Sequence, residues 1–187
     1  MPKVIKDANM TIKNCAMDLF IEYGYPNVDM KMISVKSGIA VGTIYHYYKN
    51  KQQLYLCVLS ESWGKTFTKL DKIGSLDCTS NEKLYKLIAT LYQDIKDRRG
   101  LGKVLFDNSI EELQKNTSFS ELRNSLVLRV NGIMVNLYKG NNNAQLKENA
   151  TKLTETLLVS IGAMIEFHPN DDNNNIDFLR QLFSASV

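Results

Sequence analysis

The segment from residue 29 to residue 51 permits few folds. Asp29 is a good N-cap, because its carboxylate can accept from the free N–H groups that open a helix. Met30, Ile33 and Val35 supply an apolar face over the next turn. Ser37-Gly38 ends that helix, since glycine takes the left-handed backbone that a helix C-cap requires. Ile39 then packs inward, and Ala40, Val41, Gly42 and Thr43 open another helix with small side chains. Ile44 and Tyr48 fall four apart and face a core, while Tyr45, His46 and Tyr47 point partly or wholly away from it. Asn50 and Lys51 close the unit. Two short helices about a glycine turn, the second with a polar and aromatic outer face, form a helix-turn-helix. That motif places its second helix in the major groove of DNA.

The preceding stretch supplies the third helix such a unit needs. Ile12, Cys15, Ala16, Leu19, Phe20 and Tyr23 recur at three- and four-residue spacing, one face of an amphipathic helix that Gly24 stops.

The run Ile12, Ala16, Leu19-Phe20, Gly24-Tyr25, Ile33-Ser34 and Ser37-Gly38-Ile39-Ala40-Val41-Gly42-Thr43-Ile44-Tyr45-His46-Tyr47-Tyr48, followed by Lys51 and Leu54, resembles the N-terminal domain of the tetracycline-repressor (TetR) family. It covers roughly the first third of the chain. Three positions depart from the family pattern. Val28 stands where the family usually has Thr, Ala40 where a Ser usually caps the recognition helix, and Tyr48 where Phe is common. Positions 28 and 40 therefore lack a hydroxyl for phosphate.

The resemblance implies an all-α chain with a helix-turn-helix domain at 1–51 and a helical regulatory and dimerisation domain at 52–187. It also implies pairing of the last two long helices with their symmetry mates, and a small molecule that changes the spacing of two DNA-reading heads. Within the first domain, Thr43, Tyr45, Tyr47 and Lys51 are expected on the phosphate backbone, because hydroxyls and a lysine at the ends of a reading helix are the usual positioning contacts. Base readout falls to Val41, Gly42, Tyr45 and His46, with Lys31 near the start of the helix before. For Tyr45 and Tyr47 the plain alternative is core packing with the hydroxyl outward.

Charge distribution agrees. Residues 1–51 hold seven lysines against Asp7, Asp18, Glu22 and Asp29, a surplus of three, which is the net charge of the whole chain. The excess is small, and chance is the competing explanation. No run of about eighteen apolar residues marks a membrane span. The first residues lack the apolar core of a signal peptide, and three scattered cysteines (Cys15, Cys57, Cys78) make no disulfide framework, so a cytoplasmic location is expected.

Beyond Lys51 the periodicity predicts helices throughout: 52–70, one capped by Ser80 or Asn81, a segment through Val104 to Leu113, one opened by Ser118 or Ser120, 146–167, and 175–186. The stretch from Leu157 to Ile165 is apolar nearly all round and must be covered on every side. A homodimer through the last two helices satisfies it, with Gly162 and Ala163 allowing close approach and Ile161 on the face; a fully buried helix in a monomer is the alternative.

Catalytic chemistry is not legible. His46 and His168 stand alone, Glu111-Glu112 and Asp171-Asp172 read as solvated pairs, and the cysteines have no nearby histidine. No metal, no cofactor and no enzyme activity is expected; redox sensing by Cys57 or Cys78 stays a minor alternative. Trp63, Phe67, Tyr85, Tyr92, Phe106, Met134 and Tyr138 are candidates to line a ligand cavity, although each taken singly is more often plain core. Among them Trp63, Phe67, Tyr92, Met134 and Tyr138 are the named candidate ligand contacts, for an apolar or aromatic effector. The expected partners are double-stranded DNA with a palindromic operator, a second copy of the chain, and that effector. A repressor released by its effector is the leading function, and a ligand-independent architectural or nucleoid-associated DNA-binding factor is the alternative.

Overall fold

The computed structural model describes residues 7–101, 104–106, 110–137 and 149–184, and all regular structure among them is helical. In chain order the helices are α1 (Ala8–Asn27), α2 (Met30–Ser37), α3 (Val41–Tyr47), α4 (Lys51–Gly74), α5 (Ser80–Asp97), a 3-10 turn (Arg99–Leu101), α6 (Glu111–Gln114), α7 (Thr117–Leu137), α8 (Ala150–Phe167) and α9 (Asp172–Ser184). None of these is long and apolar enough to cross a membrane.

Packing divides the chain into two units. The first holds residues 1–62 together with Arg99–Leu101; the second holds Trp63–Arg98 and Gly102–Val187. The expected division at residue 51 coincides with the start of α4, whose first twelve residues pack with the first unit.

The first unit is built around α1. Ile12, Ala16, Leu19 and Phe20 are buried on one face, as their spacing requires. Gly24 breaks the helical path at φ 76°, a backbone that an L side chain adopts only with strain, and one more turn carries Tyr25 inward. Tyr23, expected on the apolar face, is exposed. Phe20, Tyr25 and Tyr55 meet as an aromatic cluster, with Phe20 edge-on to Tyr55 at 4.8 Å and Tyr25 at 4.7 Å from Tyr55. Burial pushes the Tyr55 phenol well above its ordinary range, so it stays neutral.

The second unit is a bundle of the rest of α4 with α5 to α9. Thr79 and Glu82 form a reciprocal capping box that opens α5, one residue earlier than expected. Of the predicted helix through Val104, the described residues show a turn at 104–106 and the single turn of α6. Tyr138, a candidate ligand contact, lies outside the described residues.

Two expectations about α8 are corrected. Ile161 and Gly162, assigned to a dimer face, are buried within the protomer. A Cβ at Gly162 would stand 3.1 Å from Phe106 Cε2, so this glycine admits an aromatic ring of its own chain. The apolar residues that α8 does expose are Val159 and Phe167, and α9 adds Phe178 and Leu182.

Candidate nucleic-acid interface and regulatory bundle

The reading helix is set in place by short-range geometry. Asp29 Oδ1 accepts from the Met32 N–H at 2.8 Å and caps α2. Gly38 closes α2 at φ 67°, in the left-handed region where glycine carries no Cβ penalty. The Ser34 hydroxyl donates to the Ile39 carbonyl at 2.6 Å and ties the turn back onto α2. Val35, expected on the inner face of α2, is 78% exposed instead. Ile33 and Ile39 carry the inward packing.

α3 then runs from Val41 to Tyr47 with one inward residue, Ile44, and Tyr48 just beyond it. Val41, Gly42, Thr43, Tyr45, His46 and Tyr47 are all exposed, and so is Lys31 on α2. The structure therefore gathers seven of the eight expected DNA contacts on accessible surface of two consecutive helices. Ala40 makes no side-chain cap, consistent with its lack of a hydroxyl.

The eighth, Lys51, has a partner inside the protein. Its ammonium donates to the Tyr25 carbonyl at 2.8 Å and to the Pro26 carbonyl at 3.4 Å, and it lies over the Tyr25 ring. It thus holds the last turn of α1 against the start of α4. Lys13 and Lys36 are also paired, with Glu61 and Asp18. Asp18 is already subtracted in the counted surplus, so only the Lys13–Glu61 pair lowers it, and Lys31 and Lys49 are exposed cations on either side of α3 in sequence.

Tyr48, where the resembled family commonly has Phe, uses its extra hydroxyl. The phenol donates to Asn9 Oδ1 at 2.5 Å and lies 3.9 Å from Cys57 Sγ. Burial is the main reason its acidity is pushed down and its pKa far up. Burial likewise raises the Cys15 thiol, opposite to what a reactive cysteine needs.

In the second unit, Trp63, Tyr92 and Met134 are completely buried, Phe67 is half-buried beneath the Arg129 guanidinium at 4.7 Å, and Tyr85 is exposed. Tyr92 is a structural tie. Its hydroxyl donates to Asp172 Oδ1 at 3.1 Å and accepts from Asn175 Nδ2 at 3.0 Å, joining α5 to α9. Lys96 completes the tie by ion-pairing with Asp172, whose carboxyl is held below its ordinary range chiefly by that hydrogen bond. Asp172, read from sequence as solvated, is therefore a structural contact.

Sequence reasoning missed one cluster. Asp94 is 8% exposed; it accepts from Thr66 Oγ1 and Lys69 Nζ, each at 2.6 Å. The Arg98 guanidinium donates to the Asp94 carbonyl at 2.5 Å and to the Thr66 hydroxyl, and lies 4.6 Å from the centroid of Trp63. A signal was present: Asp94 follows Leu91 by three positions, and so occupies the apolar phase of α5.

Residues 13–58 match the family model for bacterial regulatory proteins of the tetR family. Over 80 residues, 43% of the chain, the sequence is 30% identical to the fatty acid metabolism regulator protein of Bacillus subtilis. That stretch spans 41% of the relative, so less than half of its length is matched. The fold is similar to that of the transcriptional regulator FadR from Bacillus subtilis in complex with stearoyl-CoA, with a TM-score of 0.76 and 19% identity over 96% of this chain and 99% of that one. It is also similar to the fatty acid degradation regulator FadR from Bacillus halodurans, with a TM-score of 0.74 and 17% identity over 97% and 96% of the two chains. Likeness at these identities concerns the fold. The sequence match with the exposed helix α3 identifies residues 13–58 as a helix-turn-helix of the tetR type, on a chain whose fold is that of solved transcriptional regulators.

Proposed function

We propose that the protein is a homodimeric repressor that reads a palindromic operator with α3 and leaves it on binding a long-chain acyl compound. The observation that carries the DNA part is the division of α3, with Ile44 buried and Val41, Gly42, Thr43, Tyr45, His46 and Tyr47 exposed. In this reading Val41, Gly42, Tyr45 and His46 meet base edges, with Lys31 beside them. Thr43, Tyr45, Tyr47 and the remaining donor of Lys51 meet phosphates. Residues 1–51 form the reading head and 52–187 the regulatory part.

The dimer follows from Val159, Phe167, Phe178 and Leu182, which α8 and α9 leave exposed. Two heads on a two-fold axis read half-sites separated by about one helical turn, roughly 34–36 Å, or a multiple of it. The acyl effector is supported by the FadR likeness, whose solved complex holds stearoyl-CoA. Control runs through α4, a single helix that starts beside the reading head at Lys51 and carries Trp63 and Phe67 further along. A ligand that prefers the non-binding arrangement by about 1.4 kcal/mol lowers DNA affinity tenfold.

The test is a fluorescence-anisotropy titration of labelled duplex DNA from upstream of the protein's own gene, with and without stearoyl-CoA. Specific binding that stearoyl-CoA releases is the expected result. Binding with no sequence preference removes the operator reading, and specific binding that stearoyl-CoA leaves intact removes the acyl effector.

A further inference from the structure

Buried polar groups in a native core are almost always paired, so an orphan needs an explanation. Among the described residues, three buried side-chain atoms have no hydrogen-bond partner: Trp63 Nε1, Asn131 Oδ1 and Thr154 Oγ1. All three belong to the second unit. Trp63 is the most telling. Its side chain is completely buried, and its indole nitrogen is a donor only, with no second way to be satisfied. A phenylalanine would fill most of the same space without carrying an unmatched N–H.

Its surroundings sharpen the point. The Arg98 guanidinium lies over the indole face at 4.6 Å. It is held there by the Asp94 carbonyl and the Thr66 hydroxyl, and is 11% exposed. Thr66 is itself completely buried and donates to the same Asp94 carboxylate. A cation fixed over the ring draws electron density from the indole and makes its N–H a stronger donor. Lys69 and Arg98 both face the Asp94 carboxylate, and Asp97 also lies close enough to act on the Arg98 cation. A strengthened, unmatched N–H calls for an oxygen acceptor. A hydrocarbon or a simple aromatic compound offers none.

We propose that Trp63 Nε1 is the donor that holds the carbonyl oxygen of an acyl ligand, with the Arg98 cation strengthening the bond from the opposite face of the ring. This inference rests on the acyl effector proposed above and names the group that recognises it. The acceptor is an acyl carbonyl, carried either by a free carboxylic acid or by a thioester. The aliphatic chain supplies affinity through apolar burial, and the indole selects the oxygenated end. Trp63 and Arg98 are also the first and last residues of the α4–α5 stretch of the second unit, so a ligand gripped here acts on both ends of that stretch.

The chain has one tryptophan, so its indole N–H gives a single signal in a nitrogen-15-edited proton spectrum. The experiment follows that signal as the full-length protein is titrated separately with stearate and with stearoyl-CoA. Calorimetry then compares both compounds on wild type and on Trp63→Phe. The expected result is a downfield move of the indole proton with the preferred compound, and affinity about tenfold weaker in Trp63→Phe. That variant should be somewhat less stable, since it loses part of a buried ring and of the Arg98 contact, so affinities are compared at a temperature where both proteins are folded. Whichever of stearate or stearoyl-CoA moves the signal identifies acid or thioester. If one of them binds wild type, leaves the indole signal in place and binds Trp63→Phe equally well, the carbonyl grip is overturned while the acyl effector stands. If neither binds wild type, the acyl effector falls and the grip with it. Should Trp63→Phe not fold, the wild-type spectrum alone decides.

Discussion

The ammonium of Lys51 donates a 2.8 Å hydrogen bond to the Tyr25 carbonyl and stands 4.4 Å from the centroid of that residue's own ring. One side chain thus hydrogen-bonds a carbonyl in the last turn of α1 and makes a cation–π contact, 26 residues away in sequence. Lys51→Ala is expected to lower the stability of the protein by about 1–2 kcal/mol, the loss of a charge-assisted hydrogen bond. Lys31→Ala, on exposed surface, should leave stability within about 0.5 kcal/mol and flatten the salt dependence of DNA binding by roughly one unit. Urea unfolding and salt titrations of both variants check this; equal stability loss in the two would remove the distinction.

The Tyr48 phenol reaches Asn9 Oδ1 at 2.5 Å while its ring stays buried beside Cys57. Tyr48→Phe keeps the ring and removes the bond. The expected cost is about 1 kcal/mol of unfolding free energy, with operator affinity unchanged because the residue is buried. Asn9→Ala should cost a similar amount, and the double variant less than the sum of the two, because the residues share one interaction. Additive losses in that cycle would show that the bond contributes nothing.

What could be read in advance was local. Asp29, Gly38 and the Ile44–Tyr48 pair each act within a few residues, so cap chemistry and helical spacing were enough to place the reading helix and its exposed face. The errors came where tertiary packing overrides periodicity. Val35 lies in phase with Met30 and Ile33 only loosely, and α2 is too short to bury a third side chain. Around α8 the apolar residues run almost continuously, so spacing alone could not say whether Ile161 or Val159 faces solvent. Asp94, Lys51 and Asp172 were illegible for a different reason. Their partners Thr66, Tyr25 and Tyr92 lie 28, 26 and 80 residues away, and no short pattern encodes them.

Acid should expose the tie between α5 and α9. The Asp172 carboxyl lies below its ordinary value of 3.8, first because Lys96 donates to it and also because Tyr92 does. A carboxylate depressed in the folded state stabilises above its unfolded pKa, and that contribution is lost as pH falls through the folded value. Asp172→Asn should therefore be less stable than wild type near neutral pH. The difference should shrink as pH falls below about 4. Urea midpoints across that range provide the measurement, and a constant gap at all pH values would exclude the ion pair as its cause.

Ala40 leaves α3 without a side-chain cap, although its φ of −55° and ψ of 138° already suit a capping residue. A serine there can accept from a free N–H of the first turn at no packing cost, since the position is exposed. Ala40→Ser should raise stability by about 0.5–1 kcal/mol, read as a higher urea midpoint with an unchanged slope. A midpoint that falls would mean that the start of α3 does not hold its helical geometry in solution.

Assembly is tested best on the surface that α8 and α9 leave uncovered. Ile161 is completely buried within the protomer, so Ile161→Glu should unfold the chain rather than divide it, because an unpaired charge would enter the core. Phe178 is 52% exposed and belongs to the opposite case. In a monomer its replacement by glutamate would be harmless, whereas in a dimer joined through α9 it would bring a carboxylate into an apolar interface, together with its symmetry mate. Phe178→Glu is therefore expected to keep full helical circular dichroism, to halve the mass seen by light scattering at micromolar concentration, and to lose operator binding. A Phe178→Glu protein that stays dimeric and binds DNA normally would move the interface elsewhere on the chain.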